Sequence, residues 1–129
     1  MEAKKIVVID DEIDLTELLK IELETEGYEV FTATDGKSGL ALIRDTAPSL
    51  ILLDVMMPVM NGYETLQALK QDPQTRDIPV FLLTAIGEED AVNKGLTMGA
   101  SDYVLKPFHS ELLLKRIEMT LKNEGKTNG

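Results

Sequence analysis

Asp10, Asp11, Asp54, Thr84 and Lys106 are residues of types that can do chemistry together, and each stands where a short apolar run stops. Ile6–Ile9 runs into Asp10-Asp11-Glu12, Leu50–Leu53 into Asp54, Val80–Leu83 into Thr84-Ala85, and Val104-Leu105 into Lys106-Pro107. Carboxylates gathered in one cleft repel one another, and a hard divalent cation relieves that repulsion. Oxygen ligands without His or Cys select Mg²⁺, Mn²⁺ or Ca²⁺ over zinc, and a small protein ligand set completed by water is the habit of Mg²⁺. A lysine ammonium and a threonine hydroxyl suit the oxygens of a phosphoryl group held against such a metal. A carboxylate such as Asp54 can then act as nucleophile and become an aspartyl phosphate. One acid after a strand is ordinarily a turn or capping residue. Three of them beside a Thr and a Lys favour a working site.

Only a particular fold brings these positions together. Lys5–Ile9, Tyr28–Ala33, Leu50–Leu53, Ile78–Leu83 and Ser101–Leu105 read as strands. Ile13–Glu26, Asp35–Thr46, Gly62–Gln71, Glu88–Met98 and Ser110–Asn123 carry the three- and four-residue apolar spacing of helices. In the first helix Leu15, Leu18, Leu19 and Leu23 read as its core side, with Leu15 and Leu18 only weak candidates for a partner surface. Gly27 is placed to end that helix with positive φ, and Pro48 forbids continuation of the second. Strand and helix alternate five times with short connections, which predicts a parallel sheet covered on both faces, an α/β doubly wound domain. The wholly apolar third and fourth strands fit a sheet buried on both sides. Active residues of such sheets lie beyond the carboxyl ends of the strands, where all the polar groups named above fall.

Composition narrows the alternatives. Apolar residues make up 43% and charged residues 28%, the balance of a globular chain. Thirteen basic residues against 23 acidic ones leave a net charge of −10, so a nucleic-acid backbone would be repelled. No cysteine is present, which removes disulfides, thiolate metal sites and cysteine nucleophiles. Apolar runs are too short for a membrane span and the N-terminus shows no signal-peptide pattern, so a cytoplasmic protein is expected. One domain over residues 1–123 and a polar tail over 124–129 account for the length.

Competing phosphate chemistries fit poorly. A P-loop needs G-x-x-x-x-G-K-[S/T] after the first strand, where this chain has Asp10-Asp11-Glu12-Ile13. A flavin phosphate cradle at the same turn would meet acids in place of backbone N–H groups. A haloacid-dehalogenase-type phosphatase wants D-x-D, whereas Asp54 is followed by Val55-Met56; it stands as a remote alternative.

The chain resembles the receiver domain of two-component response regulators, and in size the single-domain chemotaxis-type regulators. The resemblance rests on Ile9-Asp10-Asp11, Leu53 to Pro58, Asn61-Gly62, Leu83-Thr84-Ala85, Gly99 to Tyr103 and Lys106-Pro107-Phe108, in order along nearly the whole chain. It implies a five-stranded sheet of order 2-1-3-4-5 with five helices; that order comes from the resemblance alone. It implies Asp54 as phosphoacceptor; Asp11, Asp54 and the Met56 carbonyl as metal ligands, supported by Asp10; and Mg²⁺, with Mn²⁺ able to substitute. Lys106 matches the lysine that contacts phosphoryl oxygens, Thr84 the hydroxyl switch residue, and Tyr103 the aromatic ring that turns with it. The Lys106-Pro107 bond matches a cis peptide. Partners implied are a histidine kinase or histidine phosphotransfer domain as donor, and a downstream protein on the face of the fourth helix, fifth strand and fifth helix, with phosphorylation-dependent dimerisation compatible with it. Such a domain is a switch that catalyses only its own phosphorylation and dephosphorylation, not an enzyme.

Two positions depart from fast-hydrolysing relatives. Met56 and Ile86 are apolar where those relatives carry polar groups that orient an attacking water, so slow self-dephosphorylation is expected. His109, with Ser110 as the alternative, is read as a helix cap and not as a phosphohistidine. A stand-alone switch and a receiver excised from a larger regulator or hybrid kinase both remain open.

Overall fold

The computed structural model describes residues 3–55, 57, 61–85, 88–106 and 109–126. Five strands, β1 (Lys5–Ile9), β2 (Glu29–Ala33), β3 (Leu50–Asp54), β4 (Val80–Ala85) and β5 (Asp102–Lys106), alternate with five helices. The helices are α1 (Ile13–Thr25), α2 (Gly36–Thr46), α3 (Gly62–Gln71), α4 (Glu89–Thr97) and α5 (Ser110–Lys126). All strands are parallel, in the order β2-β1-β3-β4-β5, so the expected doubly wound α/β architecture is present.

The sheet divides the core in two, because successive side chains of a strand point to opposite faces. Val7, Ile9, Ile51, Leu53, Val80 and Leu82 pack with Leu40 and Ile43 of α2 and Leu66 and Leu69 of α3. Ile6, Val8, Leu50, Leu52, Phe81 and Leu83 pack with Leu19 and Leu23 of α1 and Leu113, Ile117 and Leu121 of α5. Every residue of β3 is buried, which explains why its sequence has no polar alternation before Asp54.

Local signals set the helix ends. The Asp35 carboxylate accepts the Ser38 N–H at 2.8 Å and starts α2. Asn61 and Glu64 exchange side-chain-to-backbone bonds of 3.0 and 3.1 Å, a capping box that opens α3 directly after the β3 loop. The His109 carbonyl accepts the Leu113 N–H at 3.1 Å as α5 begins. Gly27 has φ +96°, as its place after α1 requires. Ahead of Pro48, α2 ends on Ala47 in the left-handed conformation, φ 47°.

Several boundaries differ from the sequence expectation. β4 starts at Val80 and runs on through Thr84 to Ala85, and β5 extends to Lys106. Both shifts put the functional residues inside the ladder, where pairing of Thr84 with Leu105 and Ala85 with Lys106 holds them. α5 remains helical to Lys126, three residues past the expected end at Asn123: polar residues continue the helix because its hydrogen bonds do not need an apolar face. Leu18 is also not core. It is 50% exposed, because only the phase of Thr16, Leu19 and Leu23 meets the sheet.

Candidate functional site

The carboxyl ends of β1, β3, β4 and β5 meet in one acidic pocket. Asp10, just beyond β1, is fully buried; its Oδ1 accepts the Glu12 N–H at 2.9 Å and fixes the turn into α1. Its Oδ2 lies 2.7 Å from the Lys106 Nζ. That same oxygen has no well-aligned hydrogen bond, so the contact is a close pairing of opposite charges. Asp54 ends β3 and is nearly buried, with Oδ2 at 3.5 Å from the same ammonium. Asp11 is exposed at the mouth. Ligand atoms of Asp10, Asp11 and Asp54 all fall within 4.8 Å of one another, a spacing that one small cation can span.

Lys106 reaches the pocket from the edge strand β5. Burial by itself would push its pKa down, but the Asp10 carboxylate, followed by Asp54 and Glu12, outweighs that and holds the ammonium well above the usual lysine range. It is therefore a permanent positive charge opposite the carboxylates. Thr84 lies on β4, one residue past Leu83, the register partner of Asp54. Its hydroxyl is buried and has no hydrogen-bond partner among the described residues. Buried hydroxyls are ordinarily paired, so an orphan on the strand next to Asp54 is suited to an acceptor atom from a bound group.

Of the residues singled out in the sequence, Asp10, Asp11 and Asp54 lie within ligand distance of one another and Lys106 reaches Asp10 and Asp54, while Thr84 sits on the neighbouring strand one residue past the register partner of Asp54. Tyr103 sits apart on β5, 37% exposed, beside a groove of about 330 Å³ lined by Val92 and Leu96 of α4 and by Leu105. Its carbonyl accepts from the Arg116 guanidinium at 2.9 Å, tying β5 to α5. Met56, Ile86 and Pro107 lie outside the described residues, and with them the third metal ligand, the apolar pair and the Lys106-Pro107 bond. Sequence reasoning assigned nothing to Glu12. Its Oε1 accepts from Lys106 Nζ at 3.1 Å, and its only signal was being the third acid in its run.

Residues 6–118 match the response regulator receiver domain family. The phosphate regulon transcriptional regulatory protein PhoB of Pseudomonas aeruginosa is 42% identical over 125 residues, 97% of this chain and 55% of that protein. The transcriptional regulatory protein CpxR of Escherichia coli K12 is 48% identical over 118 residues, 92% of this chain and 49% of that protein. The chain thus spans about half the length of the curated relatives it matches. Among solved structures, the chemotaxis protein CheY4 of Vibrio cholerae superposes with a TM-score of 0.86 at 33% identity, covering 92% of this chain and 98% of that one. The receiver domain of NtrX from Brucella abortus gives 0.85 at 34% identity, covering 91% and 98%. Among the described residues no helix is long and apolar enough to cross a membrane.

Proposed function

The chain belongs to the response regulator receiver domain family of two-component signalling, and from that premise we propose that it is a Mg²⁺-dependent phosphoacceptor whose Asp54 takes a phosphoryl group from phosphohistidine. The observation that carries this reading is the unpartnered, buried Thr84 hydroxyl one strand away from Asp54, with the Lys106 ammonium 3.5 Å from the Asp54 carboxylate. Nucleophile and ammonium stand together, and the Thr84 hydroxyl, which has no acceptor among the described residues, is available to an oxygen from a phosphoryl group.

Asp10, Asp11 and Asp54 would hold Mg²⁺ (Mn²⁺ as substitute), with the Met56 carbonyl and water completing the ligands as the family resemblance implies. When bound, the ion neutralises charge on the phosphoryl oxygens during transfer. An Asp54 carboxylate oxygen attacks phosphorus; the phosphorus–nitrogen bond of the donor breaks, its electron pair stays on the imidazole, and an acyl phosphate remains on Asp54. Lys106 stabilises the oxygens on which charge develops. Thr84 then donates to one of those oxygens, and the ring of Tyr103 turns toward the space vacated, where the groove between α4 and β5 leaves room. This shifts a pre-existing two-state equilibrium on the face of α4, β5 and α5, where a downstream protein or a second copy would bind. A histidine kinase or phosphotransfer domain is the donor.

A second reading, a receiver module of a longer regulator, is supported by the span of about half of its transcriptional relatives. With a net charge of −10, this module is suited to signalling to an output partner and not to touching nucleic acid itself.

The test is intact mass after incubation with Mg²⁺ and a small acyl phosphate, beside Asp54→Ala and a chelator control. One added phosphoryl group, lost in both controls, is expected, and a Mg²⁺-dependent beryllofluoride complex should form at the same aspartate. With apolar Met56 and Ile86, the adduct should persist for many minutes; decay within seconds would refute the slow-hydrolysis part. Absence of both adduct and beryllofluoride complex would overturn the phosphoacceptor reading.

A further inference from the structure

Lys106 has three N–H donors, and in the resting site three carboxylates surround them. Asp10 Oδ2 lies at 2.7 Å, Glu12 Oε1 at 3.1 Å and Asp54 Oδ2 at 3.5 Å. Of these contacts the one to Glu12 is a well-aligned hydrogen bond, so a phosphoryl oxygen arriving at Lys106 competes first with Glu12 for that donor. Asp10 cannot withdraw: it is fully buried, and its other oxygen is committed to the Glu12 N–H. Asp54 is the group being modified. Of the three, Glu12 alone combines a long side chain, 63% exposure and no other side-chain partner among the described residues.

We infer that Glu12 is a positioning residue that acts as a placeholder for the phosphoryl group: it occupies a Lys106 donor in the resting state, keeps the ammonium aimed into the pocket, and is displaced when Asp54 carries phosphate. This rests on the phosphoacceptor reading above. The competition lies in the contact, since Asp14, two residues on and also exposed, makes no ion pair with Lys106. Removing the placeholder raises affinity for a phosphoryl mimic. An exposed ion pair has the strength to change that affinity by about two- to fivefold.

The experiment is a beryllofluoride titration of the full chain at saturating Mg²⁺, followed by amide NMR, for wild type, Glu12→Gln, Glu12→Asp and Asp14→Asn. Glu12 is at the surface, so these variants fold, and unchanged unfolding midpoints would verify it. Glu12→Gln should bind about two- to fivefold more tightly. Glu12→Asp, with the charge kept but withdrawn by one methylene, should follow it, and Asp14→Asn should match wild type. Equal tightening in Glu12→Gln and Asp14→Asn would mean a general charge effect and overturn the inference. So would Glu12→Asp behaving as wild type, or no tightening in Glu12→Gln. If wild type neither binds beryllofluoride nor forms the phosphoryl adduct, the phosphoacceptor reading falls first; if it forms the adduct but does not bind, or binds and Glu12→Gln binds no better, only the placeholder role is lost.

Discussion

Gly62 is pressed against the backbone of Asp54: a Cβ on Gly62 would stand 2.5 Å from the Asp54 carbonyl oxygen and 2.5 Å from the Val55 Cα. The Gly62 N–H also donates to the Val55 carbonyl at 3.1 Å. The first turn of α3, set by the Asn61–Glu64 capping box, thus clamps the strand end that carries the proposed phosphoacceptor. The glycine is required for closeness, since its φ is not in the left-handed region.

Gly62→Ala should consequently do two things at once. The obstructing atoms are backbone and cannot swing away, so overpacking of about 1–3 kcal/mol is expected in urea unfolding. Whatever shift relieves the clash moves Asp54 relative to Lys106, so phosphoryl uptake from a small donor should fall more than the folded fraction does. Uptake that simply follows the folded fraction would show that the clamp serves stability alone.

Lys106 balances a buried carboxylate, and that makes stability depend on the cation site. Lys106→Met strips Asp10 of its nearest positive charge, and breaking a buried pair from one side costs about 3 kcal/mol. Mg²⁺ bound by Asp10, Asp11 and Asp54 would restore positive charge at that point, so added Mg²⁺ should stabilise the variant more than wild type. Urea unfolding with and without Mg²⁺ reads this directly; equal stabilisation of both would place the ion elsewhere. The sign with pH is set by the raised lysine pKa. Stability from Lys106 is complete below the unfolded-state value of 10.5 and is lost only as pH rises through the still higher folded value. The difference between wild type and Lys106→Met should therefore stay flat from about pH 6 to about pH 9.

Most of the architecture was legible because parallel strands buried on both faces appear as unbroken apolar runs, as in Ile6–Ile9 and Leu50–Leu53, and because each run gives way to a short polar segment. Asp35, Asn61 and Gly27 act through their nearest neighbours, so their effects could be read locally. Leu18 could not be read this way. α1 carries more large apolar residues than the side facing the sheet can bury, and only the three-dimensional phase decides that Leu19 and Leu23 go inward while Ile13, Leu18 and Ile21 stay outside. Glu12 was missed for a different reason: its partner Lys106 is 94 residues away, and the contact depends on how far β5 extends. Helical continuation to Lys126 depends on backbone hydrogen bonding that polar side chains do not signal.

The Thr84 hydroxyl offers a test in which stability and signalling should move in opposite directions. A buried hydroxyl without a partner forfeits its hydrogen bonds to water, at a cost of about 1–3 kcal/mol for the resting fold. Thr84→Val fills almost the same space without the polar atom, so the unphosphorylated protein should become more stable by about 1 kcal/mol in urea unfolding. The same variant has nothing to donate to a phosphoryl oxygen. It should bind beryllofluoride more weakly and lose the change in Tyr103 ring environment that NMR would report in wild type. Thr84→Ser keeps the hydroxyl and sacrifices a methyl group, so it should be about 1 kcal/mol less stable than wild type yet still couple the aspartate to Tyr103. If Thr84→Val instead proves destabilised, the hydroxyl is already satisfied in the resting state. The site would then not be waiting for an external oxygen, and the phosphoacceptor reading would lose its main support.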